Sequence, residues 1–144
     1  PGIYFHSLFG SRGWTDGVKQ TGHTRTINRQ KYDLHSLQSE LADSKSLRAR
    51  VFARYRQLLS ARGSSPAFHP HGKQKVLDLH PSVFVLERSS PNGKSRALCL
   101  HNVSAKRINL NISFESATSL FTGQALHITQ LSLAPYQVLW MNYD

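Results

Sequence analysis

The sequence predicts an α+β chain in which a helical first part precedes a small antiparallel β-domain. Helix signals fill residues 33–62, and short runs rich in β-branched and aromatic residues follow residue 66. The cluster "GSSP" at residues 63–66 lies between the two patterns and is typical of a linker. We therefore predict one domain over residues 1–65 and a second over residues 66–144.

The N-terminal segment predicts a buried strand followed by a long loop. Residues 2–9, "GIYFHSLF", form a nearly continuous apolar run, as in a strand covered on both faces. Residues 10–31 contain four glycines and no sustained hydrophobic period, which indicates a loop of functional length. The chain begins without methionine inside the expected strand, so we expect it to be a fragment of a longer protein.

Two helices are predicted between this loop and the linker. Asp33 is the expected N-cap of "LHSLQSELA", and Asp43 or Ser44 that of a longer helix running to about Arg62, where Gly63 ends it. The longer helix carries one apolar stripe, formed by Leu47, Val51, Tyr55, Leu58 and Leu59. Its basic residues outside the stripe are expected on a solvated face; these are Arg48, Arg50, Arg54 and Arg56.

The second part predicts short strands separated by turn residues. The predicted strands are "KQKVLDL", "VFVLERS", "ALCLHNV", "INLNISF" and "VLWMNY". "SPNG" at residues 90–93 predicts a hairpin turn between the second and third of them. "INLNISF" alternates apolar and polar residues, so one of its faces is expected to meet water.

Composition excludes several partners. The 18 Lys and Arg against 8 Asp and Glu give a net charge of +10, but the cations are spread along the chain rather than gathered, so we expect no nucleic-acid partner. No apolar run approaches the roughly 18 residues of a membrane helix, and no signal peptide is evident. The single cysteine, Cys99, is expected to be a buried thiol, and we expect a cytoplasmic location.

Motifs for metal binding or catalysis are weak. His69 and His71 in "HPH" are the densest histidine pair, but a zinc site needs three or four convergent ligands, so we expect a turn there and no metal. No G-x-S-x-G pattern and no pair of carboxylates set for acid and base work is present. We therefore assign no catalytic residue within this chain.

"TRTINR" at residues 24–29 is the remaining candidate. In a parallel barrel, loops that follow the strands form the mouth of the active site. An arginine there can present a planar fork of donors to a carboxylate or to sugar hydroxyls. On residue types alone, Arg25 and Arg29 can equally coat a surface loop.

The order of segments resembles the C-terminal part of the sucrose-phosphorylase branch of the α-amylase superfamily, which includes glucosylglycerate phosphorylases. The resemblance covers essentially the whole chain. It is carried by "PGIYFHSLFGSR", "TGHTRTINRQKY", "SLRARVFARYRQLLSARGSSPAFHP", "VFVLERS", "LCLHNVS" and "LSLAPYQVLWM".

This resemblance implies that residues 1–65 are the last strand and helices of a (β/α)8 catalytic barrel and that residues 66–144 form the β-sandwich domain behind it. It implies a retaining transfer of glucose from sucrose or a related α-glucoside to inorganic phosphate, without a cofactor. The nucleophilic aspartate and the acid/base glutamate would come from earlier strands. Arg29 matches the family arginine that helps hold the glucosyl ring. A homo-oligomer is possible, and the isolated fragment is expected to be inactive.

Two departures from the family pattern leave the acceptor open. Gly13 and Trp14 replace an Asn-Asp pair, and Thr26 replaces an aspartate, in loops expected to shape the acceptor side. Fructose, a fructose phosphate, glycerate and other small polyols all remain candidates. Two alternative functions also stand, a non-catalytic carbohydrate-binding or assembly module and a hydrolase of the same superfamily.

Overall fold

A computed structural model describes residues 2–143, which divide into two compact units, one ending at Leu58 and the other beginning at Leu59. The first unit is helical and the second consists mainly of antiparallel strands, in the predicted order. The helices of the chain are α1 (Phe5–Leu8), α2 (Thr15–Thr21), a 3-10 helix (Thr24–Asn28), α3 (Leu34–Ala42), α4 (Leu47–Ser64) and a second 3-10 helix (Pro66–Phe68).

The predicted strand over residues 2–9 is wrong, because this segment contains α1 instead. The amide of Leu8 donates to the carbonyl of Tyr4 at 3.0 Å, which closes a helical turn. A strand here would have no neighbour in the helical unit and would leave its backbone groups without partners. The helical turn satisfies them locally, and Phe9 is buried just after it, stacked on Phe52 with ring centroids 5.2 Å apart.

The predicted loop over residues 10–31 is also wrong in detail. It contains α2 and the first 3-10 helix. Gly22 ends α2 with φ of 68°, a left-handed conformation that glycine adopts without steric cost, and its N–H donates to Val18 O at 2.8 Å. Of the four glycines that suggested an irregular loop, Gly22 thus ends a helix and Gly17 lies within one.

The N-cap of α3 is confirmed at Asp33. Its Oδ1 accepts from the Ser36 amide at 2.8 Å and from the Ser36 hydroxyl at 2.9 Å. The hydrogen bond from the Ser36 amide, followed by that from its hydroxyl, lowers the pKa of the Asp33 carboxyl. Because the charged form is the better acceptor, this cap is strongest when Asp33 is ionised.

The start of α4 differs from the prediction. Ser46, rather than Asp43 or Ser44, accepts through its Oγ from the amide of Ala49, at 3.0 Å. This places Ser46 at the capping position immediately before the first helical residue, Leu47. The helix also continues through the predicted stop at Gly63 to Ser64.

The apolar stripe of α4 remains partly open. Leu47 is 47% exposed and Leu59 is 41% exposed. Within the first unit, an apolar groove of about 860 Å³ runs along α4 and the end of α3. Its large apolar lining residues are Leu41, Leu47, Val51, Phe52, Tyr55 and Leu58.

Eight strands build the second unit, and every pairing is antiparallel. They are β1 (Lys73–His80), β2 (Val83–Ser89), β3 (Arg96–Asn102), β4 (Ile108–Leu110), β5 (Phe114–Ser119), β6 (Ala125–Ile128), β7 (Leu131–Leu133) and β8 (Val138–Tyr143). Six form a sheet in the order β1-β2-β3-β8-β5-β6, and β4 pairs with β7. The predicted turn at 90–93 is confirmed between β2 and β3, with Gly93 at φ of 70°.

One predicted strand is divided, and others were missed. The run "INLNISF" contributes β4 and the first residue of β5, with residues 111–113 outside both strands. No strand was predicted at β6 or β7, or over most of β5. These segments are short and partly polar, so their extended form depends on pairing with neighbours rather than on local preference.

The main core of the β-unit lies between its two sheets. Val85 of β2, Leu100 of β3 and Met141 of β8 are fully buried on the six-stranded side. Leu110 and Leu133 from the β4-β7 pair complete the same apolar cluster. Two sheets thus enclose one core, as expected of a small sandwich.

The opposite face of the large sheet is partly covered by the second 3-10 helix. The Phe68 ring packs on Trp140 with centroids 5.1 Å apart. Cys99 lies in this cluster at 2% exposure, as predicted for a buried thiol, and burial raises its pKa to about 12. The Trp140 indole donates through Nε1 to His101 Nε2 at 3.1 Å, and burial lowers the pKa of His101. Its neutral form, the hydrogen-bond acceptor, is thereby favoured.

A buried asparagine ties the end of β3 to two loops. Asn102 is 3% exposed, and its Nδ2 donates to Lys106 O at 2.7 Å and to Ala134 O at 2.8 Å. Its Oδ1 accepts from the Ser104 amide at 3.0 Å and from the Ser104 hydroxyl at 2.8 Å. The side-chain amide of Asn102 therefore provides hydrogen-bond partners for backbone groups in the loop before β4 and in the loop after β7.

Replacing this amide by a similar apolar volume should destabilise the β-unit. Asn102→Leu leaves part-buried carbonyls and an amide without their hydrogen-bond partner, each costing about 1–3 kcal/mol. We expect a loss of about 2–3 kcal/mol in the free energy of unfolding, measured by urea denaturation. Asn109→Leu, at an exposed position of β4, is the matched control and should change stability little. Equal effects at the two positions would contradict the role of Asn102.

Candidate functional site

Arg29 lies immediately after the first 3-10 helix, as its C-cap. Its backbone amide donates to Thr26 O at 2.9 Å, and the residue is exposed. Among residues 2–143, its guanidinium has no ion pair or hydrogen-bond partner. Arg29 therefore presents free donors from a turn whose main chain is fixed.

The segment before Arg29 is held at three consecutive residues. Ile27 O accepts from the Trp14 amide at 2.8 Å, and Asn28 O accepts from the Tyr4 hydroxyl at 2.6 Å. The Thr26 hydroxyl lies 2.9 Å from the Thr21 hydroxyl. These bonds connect the 3-10 helix to the loop after α1, to the N-cap residue of α1 and to α2.

Thr26, where the resemblance implies an aspartate, has a structural partner here. The Thr21 hydroxyl donates to Gly17 O at 2.8 Å. Because a hydroxyl carries one proton, the short contact between the two threonines has Thr26 as donor and Thr21 as acceptor. A carboxylate at position 26 would lack that proton, so this arrangement suits a threonine.

Gly13 and Trp14, where the resemblance implies an Asn-Asp pair, form a tightly packed corner. The indole lies against α2 at Gly17, where a Cβ atom would come within 2.2 Å of Trp14 Cε3. A Cβ at Gly13 would come within 2.9 Å of Ile27 Cγ1. The two glycines allow the loop, α2 and the 3-10 helix to approach one another closely.

Sequence reasoning missed the role of Arg48. Its side chain was expected on a solvated face but is only 16% exposed. Its Nε donates to Glu40 Oε2 at 2.7 Å, and its guanidinium lies over the Tyr32 ring, 4.3 Å from the centroid. Both partners are distant along the chain from Arg48, so helical periodicity alone did not reveal them.

The described residues form neither a metal site nor a membrane-spanning helix. Within residues 2–143, no three His, Cys, Asp or Glu side chains converge on a place suited to a metal ion. No described helix combines the length and apolar character needed to cross a membrane. Arg25, the second candidate of "TRTINR", is exposed within the 3-10 helix and has no recorded side-chain partner among these residues.

Solved structures share the fold of most of this chain. The trehalulose synthase MutB from Pseudomonas mesoacidophila MX-45 matches with a TM-score of 0.57 and 23% identity, over 74% of this chain and 19% of that one. AmyP E221Q, in complex with maltotriose, matches with a TM-score of 0.58 and 15% identity, over 71% and 22% of the two chains. At these identities the likeness shows a shared fold alone.

Sequence relatives give the finer assignment. Three glucosylglycerate phosphorylases align with 98% of this chain, at 42% identity for that of Spirochaeta thermophila, 36% for Allomeiothermus silvanus and 32% for Escherichia coli K12. The chain spans about a quarter of these relatives, between 24% and 27% of their lengths. No family model matches the sequence. The resemblance expected from the sequence is confirmed: the chain is homologous to a part of glucosylglycerate phosphorylases.

The packing of Trp14 on Gly17 can be tested directly. Gly17→Ala places a methyl group inside the contact distance of the indole, so the ring must move. We expect the indole N–H resonance of Trp14 to shift or broaden in nitrogen-15 NMR spectra, while that of Trp140 stays in place. Gly63→Ala, where an added Cβ meets no atom within 4 Å, is the control. An unchanged Trp14 resonance in Gly17→Ala would show that the ring does not depend on this glycine.

Proposed function

We infer that the chain is part of a retaining glucoside phosphorylase, which transfers glucose from an α-glucoside such as glucosylglycerate or sucrose to inorganic phosphate. The observation that carries this inference is the 42% identity with a glucosylglycerate phosphorylase along 98% of the chain. Two further relatives with the same activity in their names support it. The products would be glucose 1-phosphate and the released acceptor, glycerate or fructose.

We assign residues 1–65 to the end of the catalytic (β/α)8 barrel and residues 66–144 to the β-domain behind it. The helical character of the first part and the antiparallel strands of the second support this division. The open groove along α4 agrees with a segment that packs against more protein in the whole enzyme. A barrel of this kind takes about 250 residues, which agrees with relatives about four times longer than this chain.

The reaction would proceed in two displacements. An aspartate outside this chain would attack the anomeric carbon, and a glutamate would protonate the departing acceptor oxygen as the glycosidic bond breaks. A phosphate oxygen would then displace the aspartate and release α-glucose 1-phosphate. None of the reacting carboxylates is assigned to this chain. The net charge of +10 favours the approach of phosphate.

Arg29 would hold the glucosyl ring in the position next to the cleaved bond. Its guanidinium is exposed and unpaired among the described residues, and the turn that carries it is fixed by hydrogen bonds at Thr26, Ile27 and Asn28. A sugar offers only hydroxyl groups, so a fixed planar donor that also orients a carboxylate restricts the ring effectively. Arg25 would remain a surface residue.

Phosphate dependence distinguishes the proposed function from its two alternatives. The purified full-length enzyme, incubated with glucosylglycerate or sucrose, should form glucose 1-phosphate only when inorganic phosphate is present. Release of free glucose at a rate independent of phosphate would identify a hydrolase. Binding of either glucoside without turnover would identify a non-catalytic carbohydrate-binding module.

The role of Arg29 predicts an unequal response at two arginines. In the full-length enzyme, Arg29→Lys keeps the charge but loses the planar fork, so a charge-assisted hydrogen bond worth about 1.5–3 kcal/mol is lost. We expect kcat/KM for phosphorolysis to fall about ten- to hundred-fold.

Arg25→Lys is the matched control and should change kcat/KM less than about two-fold, since a surface arginine contributes little. Thermal unfolding of both variants separates a binding effect from a folding defect. Small and equal effects at the two positions would indicate that "TRTINR" is a surface segment without a role in sugar binding.

A further inference from the structure

An indole and an imidazole are joined by a hydrogen bond on the face of the large sheet that carries the second 3-10 helix. His101 of β3 is paired with Val138 of β8, and Trp140 follows two residues later, so the two rings are diagonal neighbours across the strands. The Trp140 Nε1 donates to His101 Nε2 at 3.1 Å. Because an indole N–H is only a donor, His101 accepts through Nε2 and carries its single ring proton on Nδ1.

Trp140 lies at the centre of an aromatic cluster on this face. The distances from its ring centroid are 5.1 Å to Phe68, 5.5 Å to Phe121 and 6.1 Å to His101. Phe68 is the last residue of the 3-10 helix Pro66–Phe68, which covers this part of the sheet. The position of the indole therefore determines how well the 3-10 helix packs on the sheet.

Protonation of His101 removes the acceptor of this hydrogen bond. An imidazolium ion carries N–H groups on both nitrogens, so Nε2 and the indole N–H would face each other as two donors. The edge of an aromatic ring is its electropositive part, so the charge is also unfavourable beside the indole N–H. The His101 side chain is only partly buried, and a proton therefore reaches it without separation of the strands.

Protonated His101 has no counter-charge in contact with it. No carboxylate among residues 2–143 forms an ion pair with it, and across the strands it faces Phe84 of β2 and Val138 of β8, both uncharged. Burial is the cause that lowers its pKa. The titratable groups of the neighbouring elements are Asp78 on β1, Arg88 on β2, Cys99 on β3 itself, and Arg62 and His69 on either side of the 3-10 helix.

We propose that His101 and Trp140 form an acid-sensitive latch, in which protonation of the imidazole releases the indole and loosens the 3-10 helix from the sheet. All of its residues belong to the second unit. The latch is therefore independent of the enzymatic function proposed above, and it makes the cover of the β-unit responsive to pH.

The direction of the pH effect follows from the burial of His101. In the unfolded chain, a histidine binds its proton at about pH 6.5. In the folded chain the pKa of His101 is lower, so the unfolded state binds the proton first as the pH falls. The latch contributes its full stability above about pH 6.5 and loses it as the pH falls through the lowered pKa of His101.

The test follows the chain of residues 1–144 by nitrogen-15 NMR from about pH 8 to about pH 5, across the range in which histidines titrate. We expect the indole N–H resonance of Trp140 to move with a midpoint below about pH 6.5, together with the ring resonances of His101, while the resonance of Trp14 stays in place. The Phe68 amide donates to Ser65 O at 3.1 Å within the cover. Its protection factor against hydrogen exchange should fall about two- to ten-fold at the acid end, as expected for one lost hydrogen bond.

His101→Gln separates titration from packing, because the glutamine side chain has an acceptor oxygen but takes up no proton in this range. In this variant, both the Trp140 resonance and the Phe68 protection factor should be independent of pH. His127→Gln, at an exposed position of β6, is the matched control and should respond as the wild type does.

Three results would overturn the latch. The first is a Trp140 resonance that still titrates in His101→Gln. The second needs no variant: in the wild type, a Trp140 resonance that does not move, or moves with a midpoint different from that of the His101 ring. The third is a Phe68 protection factor that does not change with pH, which would show that the hydrogen bond does not hold the 3-10 helix on the sheet.

Discussion

The hydrogen bond from the Trp14 amide to the Ile27 carbonyl organises the first unit of this chain. It closes α2 and the following 3-10 helix into one compact segment, and the packing of Trp14 on Gly17 fills the interior of that segment. Without this closure, the segment before Arg29 would lose one of its three anchors. The position of the charged Arg29 side chain thus depends on a hydrogen bond between two neutral backbone groups, because that bond helps to fix the main chain from which Arg29 extends.

Features set by neighbouring residues could be predicted from the sequence. The cap at Asp33 and the hairpin turn at 90–93 each depend on a few adjacent positions, and both are confirmed. The five predicted strand runs were also found, although the fourth is divided. In each case, the chemistry that specifies the element lies within the element or at its end.

Features set by distant partners could not be predicted in the same way. Residues 2–9 have the composition of a strand, but a strand needs a neighbour, and the described helical unit offers none. Arg48 was assigned to solvent because its partners, Glu40 and Tyr32, come from other elements. For the candidate site, the sequence indicated Arg29 and the loop at Gly13, while the hydrogen bonds that fix the main chain before Arg29 became visible only once these segments were brought together.

The burial of Cys99 gives the β-unit a chemical reporter of its own opening. Thiolates, not thiols, react with alkylating agents and oxidants, and a pKa raised to about 12 leaves almost no thiolate at neutral pH. The side chain also lies at 2% exposure in the cluster that contains Phe68 of the second 3-10 helix and Trp140, so a reagent reaches it only when this cover opens. Because the chain holds no other cysteine, its rate of alkylation measures how often this cover opens under native conditions.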